Sequence, residues 1–177
     1  MLNRSVGGLA VSGLKWTGGQ LKEPFYNLSE KVLDATGTRM YAVPPGPRNV
    51  PGVVTSSGTL SPASGSWLDA SVPTPIPAQV GDALMGKTFN SFDDLREAIW
   101  KQVGNNSELN SGFTSTNVQS MRGGNAPLSP ALYLNDSGAF GKVFNIHHVF
   151  EVGNGGAVYD LSNLQIVSPK VHYDIHY

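Results

Sequence analysis

The 177-residue chain has four histidines, and all of them lie near its C-terminal end: His147, His148, His172 and His176. Their spacing suggests a division of labour. His172 and His176 are four residues apart, so on a helix they project from one face and can grip one metal ion. A catalytic zinc site takes three protein ligands and keeps a fourth position open, so a third imidazole has to come from another element. His147 and His148 are adjacent. In an extended segment, neighbouring side chains point to opposite sides. One of this pair can therefore complete the metal site while the other stands beside it as a general base, since imidazole titrates near neutrality. The chain has no cysteine, which excludes disulfides and thiolate ligation and leaves imidazole and oxygen as ligands. The expected cofactor is one divalent transition metal ion. Zinc stands ahead of the other common candidates apart from copper, with nickel, magnesium or manganese as alternatives for activity.

These side chains need strands and a helix to hold them. "KVFNI" reads as a strand entering the histidine pair, "NGG" as a turn and "LQIVS" as an apolar, β-branched strand. Pro169 suits the first turn of a helix, where its missing N–H costs nothing, and "KVHYDIHY" forms that helix. The local order is strand, loop, strand, helix. Upstream, "AQVGDALMG" over 78–86 reads as a short helix. Ser91 is placed to cap a longer helix with acids in its first turn, and Phe92, Leu95, Ile99 and Val103 form its apolar face. "TSTNVQSMR" predicts a further helix capped by Thr114, followed by a long loop.

Residues 1–43 read as a small β-rich segment, with "GGLAVSGLKW" and "GTRMYAV" strand-like and "PFYNLSEKVLDAT" either strand or short helix. Residues 44–77 are rich in Pro, Gly and Ser, the composition of a linker or a long surface-hugging loop leading into the domain. Trp67 and Leu68 would anchor that stretch to a core, being costly to leave in water. Residues 78–177 form the domain that carries the histidines, and the fold class is α+β.

Apolar residues make up 40% of the chain and charged ones 14%, with 21 Gly and 12 Pro. That is enough for one core and favours turns over long surface helices. The net charge of −1 argues against non-specific nucleic-acid binding through charge alone. No run of about 18 apolar residues occurs, so no membrane span is expected, and the first residues lack the apolar core of a signal peptide.

The full pattern is His147-His148, then Asn163, His172 and His176. It resembles the HNH (ββα-metal) nuclease domain of DNase-type colicins and S-type pyocins. "GGAVYDLSNLQIVSPKVHYDIH" is similar to that family's C-terminal signature, and "SWLD", "PIPAQVGDALMGKTFNSFDDLREAIWKQV" and "SELN" follow its order upstream. "PRNVPG" resembles its arginine-bearing start, so the likeness covers residues 45–177. Residues 1–43 would then be the tail of an upstream pyocin-type domain. The resemblance implies a colicin-type nuclease fold, with the ββα motif packed on short helices. It implies His147, His172 and His176 as metal ligands and His148 as the base that activates water. By the same likeness Asn163 braces the loop that orients that base, and Arg48 contacts the scissile phosphate.

It further implies an antibacterial toxin that cuts DNA with little sequence preference, exported by its producer and acting in the cytoplasm of the target bacterium. The toxin would be bound by a cognate immunity protein and otherwise monomeric, without stable membrane insertion. Residues 106–135 match the immunity-binding region, with Asn125, Leu128, Leu132 and Tyr133 on the partner surface. The rival readings are a phage or restriction-type HNH endonuclease and a catalytically idle metal-binding docking module.

Two departures from the family bear on mechanism. Asn145 stands where the family has a glutamate that pairs with the arginine. An amide can hydrogen-bond Arg48 but not neutralise it, and Glu151 is the acid that could stand in. From residue 80 onward the chain has six Lys and Arg against nine Asp and Glu, whereas the family's nuclease domains are basic.

Overall fold

The computed structural model describes residues 45–177 in full, together with the backbone of two short strands upstream. These strands, β1 (Lys31–Leu33) and β2 (Arg39–Tyr41), pair antiparallel with Lys31 opposite Tyr41. "KVL" and "RMY" are therefore strand. The strand expected at "GGLAVSGLKW" lies outside the described residues.

The core is organised around one helix, α2 (Phe92–Asn105). Its start is set by Ser91, whose hydroxyl accepts from the Asp94 amide at 3.1 Å, and by Asp93 and Asp94, which favour the positive end of the helix dipole. Phe92, Leu95, Ile99 and Val103 are all fully buried, with Trp100 beside them, as their spacing required. Two more helices close on this face: α1 (Ala78–Leu84), which contributes Val80 and Leu84, and the short α3 (Ser107–Asn110), which contributes Leu109. The fourth, α4 (Ser115–Arg122), is capped by Thr114 as expected. It crosses α2 closely. A Cβ at Gly104 would meet the Arg122 amide nitrogen at 2.7 Å, so a side chain there would force the helices apart.

Two small sheets complete the fold. A three-stranded antiparallel sheet has β7 (Leu164–Val167) in the centre, flanked by β4 (Thr74–Pro75) and β6 (Asn145–His148). A two-stranded ribbon joins β3 (Gly52–Val53) to β5 (Thr88–Phe89).

From residue 52 onward the Pro/Gly/Ser-rich stretch packs against the domain. Val54 and Ile76 are each 1% exposed, and the Trp67 indole N–H donates to the Leu109 carbonyl at 2.8 Å. The Ser57 amide donates to the Asp160 carboxylate, and β4 is an outer strand of the main sheet. No helix among the described residues is long and apolar enough to cross a membrane.

Candidate metal centre

The site is built by β6, β7 and the last helix, α5 (Pro169–His176), which packs on both strands. β6 pairs with β7 so that His147 is opposite Gln165 and His148 opposite Leu164. α5 begins two residues after β7. Ser168 caps it by accepting from the Val171 amide at 3.3 Å, and Pro169 fills the first turn. The chain thus reverses from strand to helix within a few residues and brings His172 and His176 up to β6.

His147, His172 and His176 converge. His147 Nδ1 lies 3.3 Å from His172 Nε2, and one nitrogen from each of the three rings lies within 4.8 Å of the others. Two nitrogens bound to one tetrahedral zinc are separated by about 3.3 Å, so the first pair already sits at a ligand edge. Burial is the main cause that holds His172 in its neutral form, with its titration lowered to about 4; His147 and His176 beside it add repulsion. His147 is lowered too, mainly by burial and then by His176, with Glu151 opposing. Neutral imidazole is the form that ligates a metal. His172 Nδ1 is buried without a hydrogen-bond partner among the described residues. A set of three nitrogen donors fits a borderline transition ion such as zinc or nickel. Magnesium, which seeks oxygen, suits it least.

His148 faces the other way, as strand alternation requires. Its Nε2–H donates to the Val158 carbonyl at 3.2 Å. A carbonyl can only accept, so Nε2 carries the proton and Nδ1 is left as the basic nitrogen. The ring packs against Phe92 with centroids 4.6 Å apart. Burial lowers its titration below the ordinary value, the Val158 hydrogen bond opposes this, and Arg48 and His147 lower it further. Arg48 sits in a single 3-10 turn (Pro47–Asn49), with its guanidinium carbon 4.4 Å from the centroid of the same Phe92 ring. Phe92 is thus a platform under both His148 and Arg48. Sequence reasoning missed this, because Phe92 also satisfies the helical apolar spacing completely. A cavity of about 300 Å³ opens among Arg48, His147, His148, Glu151, His172 and His176.

Asn163 closes the loop that follows His148. Its side-chain oxygen accepts from the Phe150 amide at 2.8 Å, and its amide donates to the Phe150 and Ala157 carbonyls, both at 3.0 Å. The Val149 amide donates to the Asn163 backbone carbonyl at 2.8 Å. Asn145 points elsewhere. Its amide donates to the Phe140 carbonyl at 3.3 Å and the Val143 carbonyl at 3.0 Å rather than bonding to Arg48. Glu151 accepts from Asn154 at 2.8 Å, and among the described residues no carboxylate forms a salt bridge with Arg48. Phe140 stacks on two of the three clustered imidazoles, 4.0 Å from His172 and 5.9 Å from His176 between ring centroids. Its place in a glycine-rich loop carried no sequence signal of this contact.

Away from these rings, Asn125 is exposed just beyond α4, Leu128 is 56% and Leu132 79% exposed, and Tyr133 is half-buried. Leu128 is held by Asn117, whose side-chain oxygen accepts from the Leu128 amide at 2.9 Å. A second cavity, of about 460 Å³, opens among Leu68, Phe113, Leu128, Tyr133 and Phe144.

Comparison with known proteins gives a consistent result. The family model described as "Colicin/Pyocin-S2, DNase domain" matches residues 52–177. Pyocin-S1 of Pseudomonas aeruginosa is 42% identical over 135 residues, which are 73% of this chain and 21% of the pyocin. Colicin-E7 of Escherichia coli is 34% identical over 132 residues, again 73% of this chain and 22% of the colicin. The chain therefore spans about a fifth of the length of these relatives. Among solved structures, the mutant nuclease domain of pyocin S8 with its cognate immunity protein matches at a TM-score of 0.64 and 39% identity, covering 71% of this chain and 98% of that one. The pyocin AP41 DNase–immunity complex matches at 0.64 and 36%, covering 71% and 97%.

Proposed function

The chain belongs to the colicin/pyocin DNase-domain family, and on that footing we propose that residues 52–177 are a metal-dependent endonuclease that hydrolyses DNA phosphodiester bonds with little sequence preference. The observation that carries the reading is the pairing of a three-imidazole cluster with a fourth imidazole, His148, whose Nδ1 is free to act as a base beside it. A divalent ion held by His147, His172 and His176, zinc first among the candidates, would neutralise charge on the phosphate and the leaving oxygen. His148 Nδ1 takes a proton from the attacking water, and its lowered titration keeps it unprotonated at neutral pH. Arg48, supported by Phe92, donates to a phosphate oxygen, a contact guanidinium can make bidentately. Asn163 fixes the chain directly after His148 and so orients the base.

In this proposal the domain is the toxic part of a bacteriocin, exported and acting in the cytoplasm of a competing bacterium. A cognate immunity protein binds the surface around Asn125, Leu128, Leu132 and Tyr133, beside the metal site, and apart from that complex the domain is monomeric. With nine acids against six basic residues after position 80, DNA is held mainly at the site itself, so binding weakens only shallowly with salt.

A second reading, an idle metal-binding docking module, is favoured by one observation: Asn145 replaces the expected glutamate, and among the described residues no carboxylate forms a salt bridge with Arg48. Plasmid nicking with added zinc, nickel, magnesium or manganese, run beside His148→Ala, separates the two. Nicking by the wild type that is lost in the variant supports the nuclease. A wild type that binds metal and never nicks supports the module.

A further inference from the structure

We infer that Asn145 and Phe140 form a positioning device that holds the two helix-borne metal ligands converged. The inference rests on the metal site proposed above and goes beyond it, because neither residue is a ligand.

Phe140 stacks nearly parallel to both helix histidines, at 29° to His172 and 27° to His176. One flat ring across two imidazoles opposes rotation of either, and it shields one face of His172 from water. The loop that carries Phe140 is tied at both ends. Near its start, Asn135 donates to the Pro169 carbonyl in the first turn of α5 at 3.3 Å, and its side-chain oxygen accepts from the Ala139 amide at 3.2 Å. Beyond Phe140, the Asn145 amide donates to the carbonyls of Phe140 and Val143. Gly138 and Gly141, with φ of 68° and 70°, occupy the left-handed region that turns the loop around Phe140.

The chemistry at position 145 is selective. Both groups it meets are carbonyl oxygens, which only accept, so the side chain there must donate. An amide does so, and a carboxylate at neutral pH does not. The departure from the family glutamate thus has its own purpose in this chain: in place of pairing with an arginine, residue 145 closes the loop that seats Phe140 on the ligands. Groups behind the ligands that fix ring orientation affect metal affinity by about 10- to 100-fold.

The test uses the whole chain and five variants: Phe140→Ala, Phe140→Leu, Phe140→Tyr, Asn145→Asp and the double variant Phe140→Ala/Asn145→Asp. Zinc affinity is measured by competition with a chromophoric chelator, and the ligand-field spectrum of the cobalt-loaded protein reports the site geometry. Phe140→Ala and Asn145→Asp should each weaken zinc binding by about 10-fold and shift the cobalt spectrum, and Phe140→Tyr should restore both. The double variant should bind no more weakly than the weaker single one, because both changes remove the same support. If Phe140→Ala does not fold, Phe140→Leu, which fills space without a flat face, should show the same loss. Wild-type affinity in folded Phe140→Ala, Phe140→Leu or Asn145→Asp overturns the inference, as do losses that multiply in the double variant. Zinc titration reads this device without reference to cleavage. A chain that binds zinc but does not nick DNA therefore refutes the nuclease alone, and one that binds no zinc refutes both.

Discussion

Replacing Asn163 with alanine should loosen the loop behind His148, the proposed base, while leaving the three clustered imidazoles in place. The side chain makes three hydrogen bonds, to the Phe150 amide and to the Phe150 and Ala157 carbonyls, at 2.8, 3.0 and 3.0 Å. At about 1 kcal/mol net each, their loss would total about 3 kcal/mol. Phe150 and Ala157 are exposed, so water replaces part of what is lost and about 2 kcal/mol is the better figure. For a domain of this size that lowers the melting temperature by about 6 °C. Asn163→Asp sharpens the test. It keeps the acceptor for the Phe150 amide but sets a carboxylate oxygen against two carbonyls, so it should cost at least as much as alanine. Urea denaturation of the metal-free protein measures the loss, and hydrogen exchange at the Phe150 amide locates it. Because Val149 and Phe150 follow His148 directly, nicking should fall by more than about tenfold, while zinc affinity stays close to wild type. A loss below about 0.5 kcal/mol, or an aspartate variant as stable as wild type, would refute the bracing argument.

Other outcomes follow from the same geometry. His148→Ala should lower cleavage by about 10²- to 10⁴-fold, the usual contribution of a general base, with little change in zinc affinity, whereas His172→Ala should lose both; equal loss of metal in the two variants contradicts the division of labour. The part of metal-free stability that His172 carries should fall as pH drops below 6.5 and level off near 4, because His172 takes its proton at about 4 when folded but near 6.5 when unfolded, so the unfolded state binds more protons across that window. Asp160 acts in the same direction at lower pH. Burial raises its titration, but hydrogen bonds from Ser162 and Ser57 outweigh this and lower it overall, so its contribution is lost as the carboxylate protonates. Stability that rises on acidification from pH 6.5, followed by urea denaturation across that range, would contradict the His172 assignment. Gly104→Ala should cost about 1–3 kcal/mol by forcing α2 and α4 apart, read as a lower urea midpoint at unchanged slope; an unshifted midpoint would show that the crossing is not tight.

Much of this protein was legible in the order of its residues, because the relevant forces are local. A separation of four puts His172 and His176 on one helical face, and alternation sends His147 and His148 to opposite sides of a strand, whatever surrounds them. Ser91 and Thr114 cap their helices by bonding amides three residues ahead, and Pro169 starts α5 through its own fixed φ. Other features depend on groups far apart in the chain. Alternation says that the adjacent histidines diverge. Only the pairing of β6 with β7, and the return of α5 onto that pair, decides that His147 meets the helix while His148 meets Phe92 and the Val158 carbonyl. Phe92 read as core because helical periodicity records burial and not which side chains cover the ring. The composition of residues 52–77 left a linker and a surface-hugging loop both open, since backbone hydrogen bonds to Asp160, Lys87 and β7 leave no mark in side-chain type. Asn145 showed as a missing carboxylate. Its partners, two carbonyls in a glycine-turned loop, exist only once that loop has folded back over α5, and only there does the need for a donor rather than an acceptor arise.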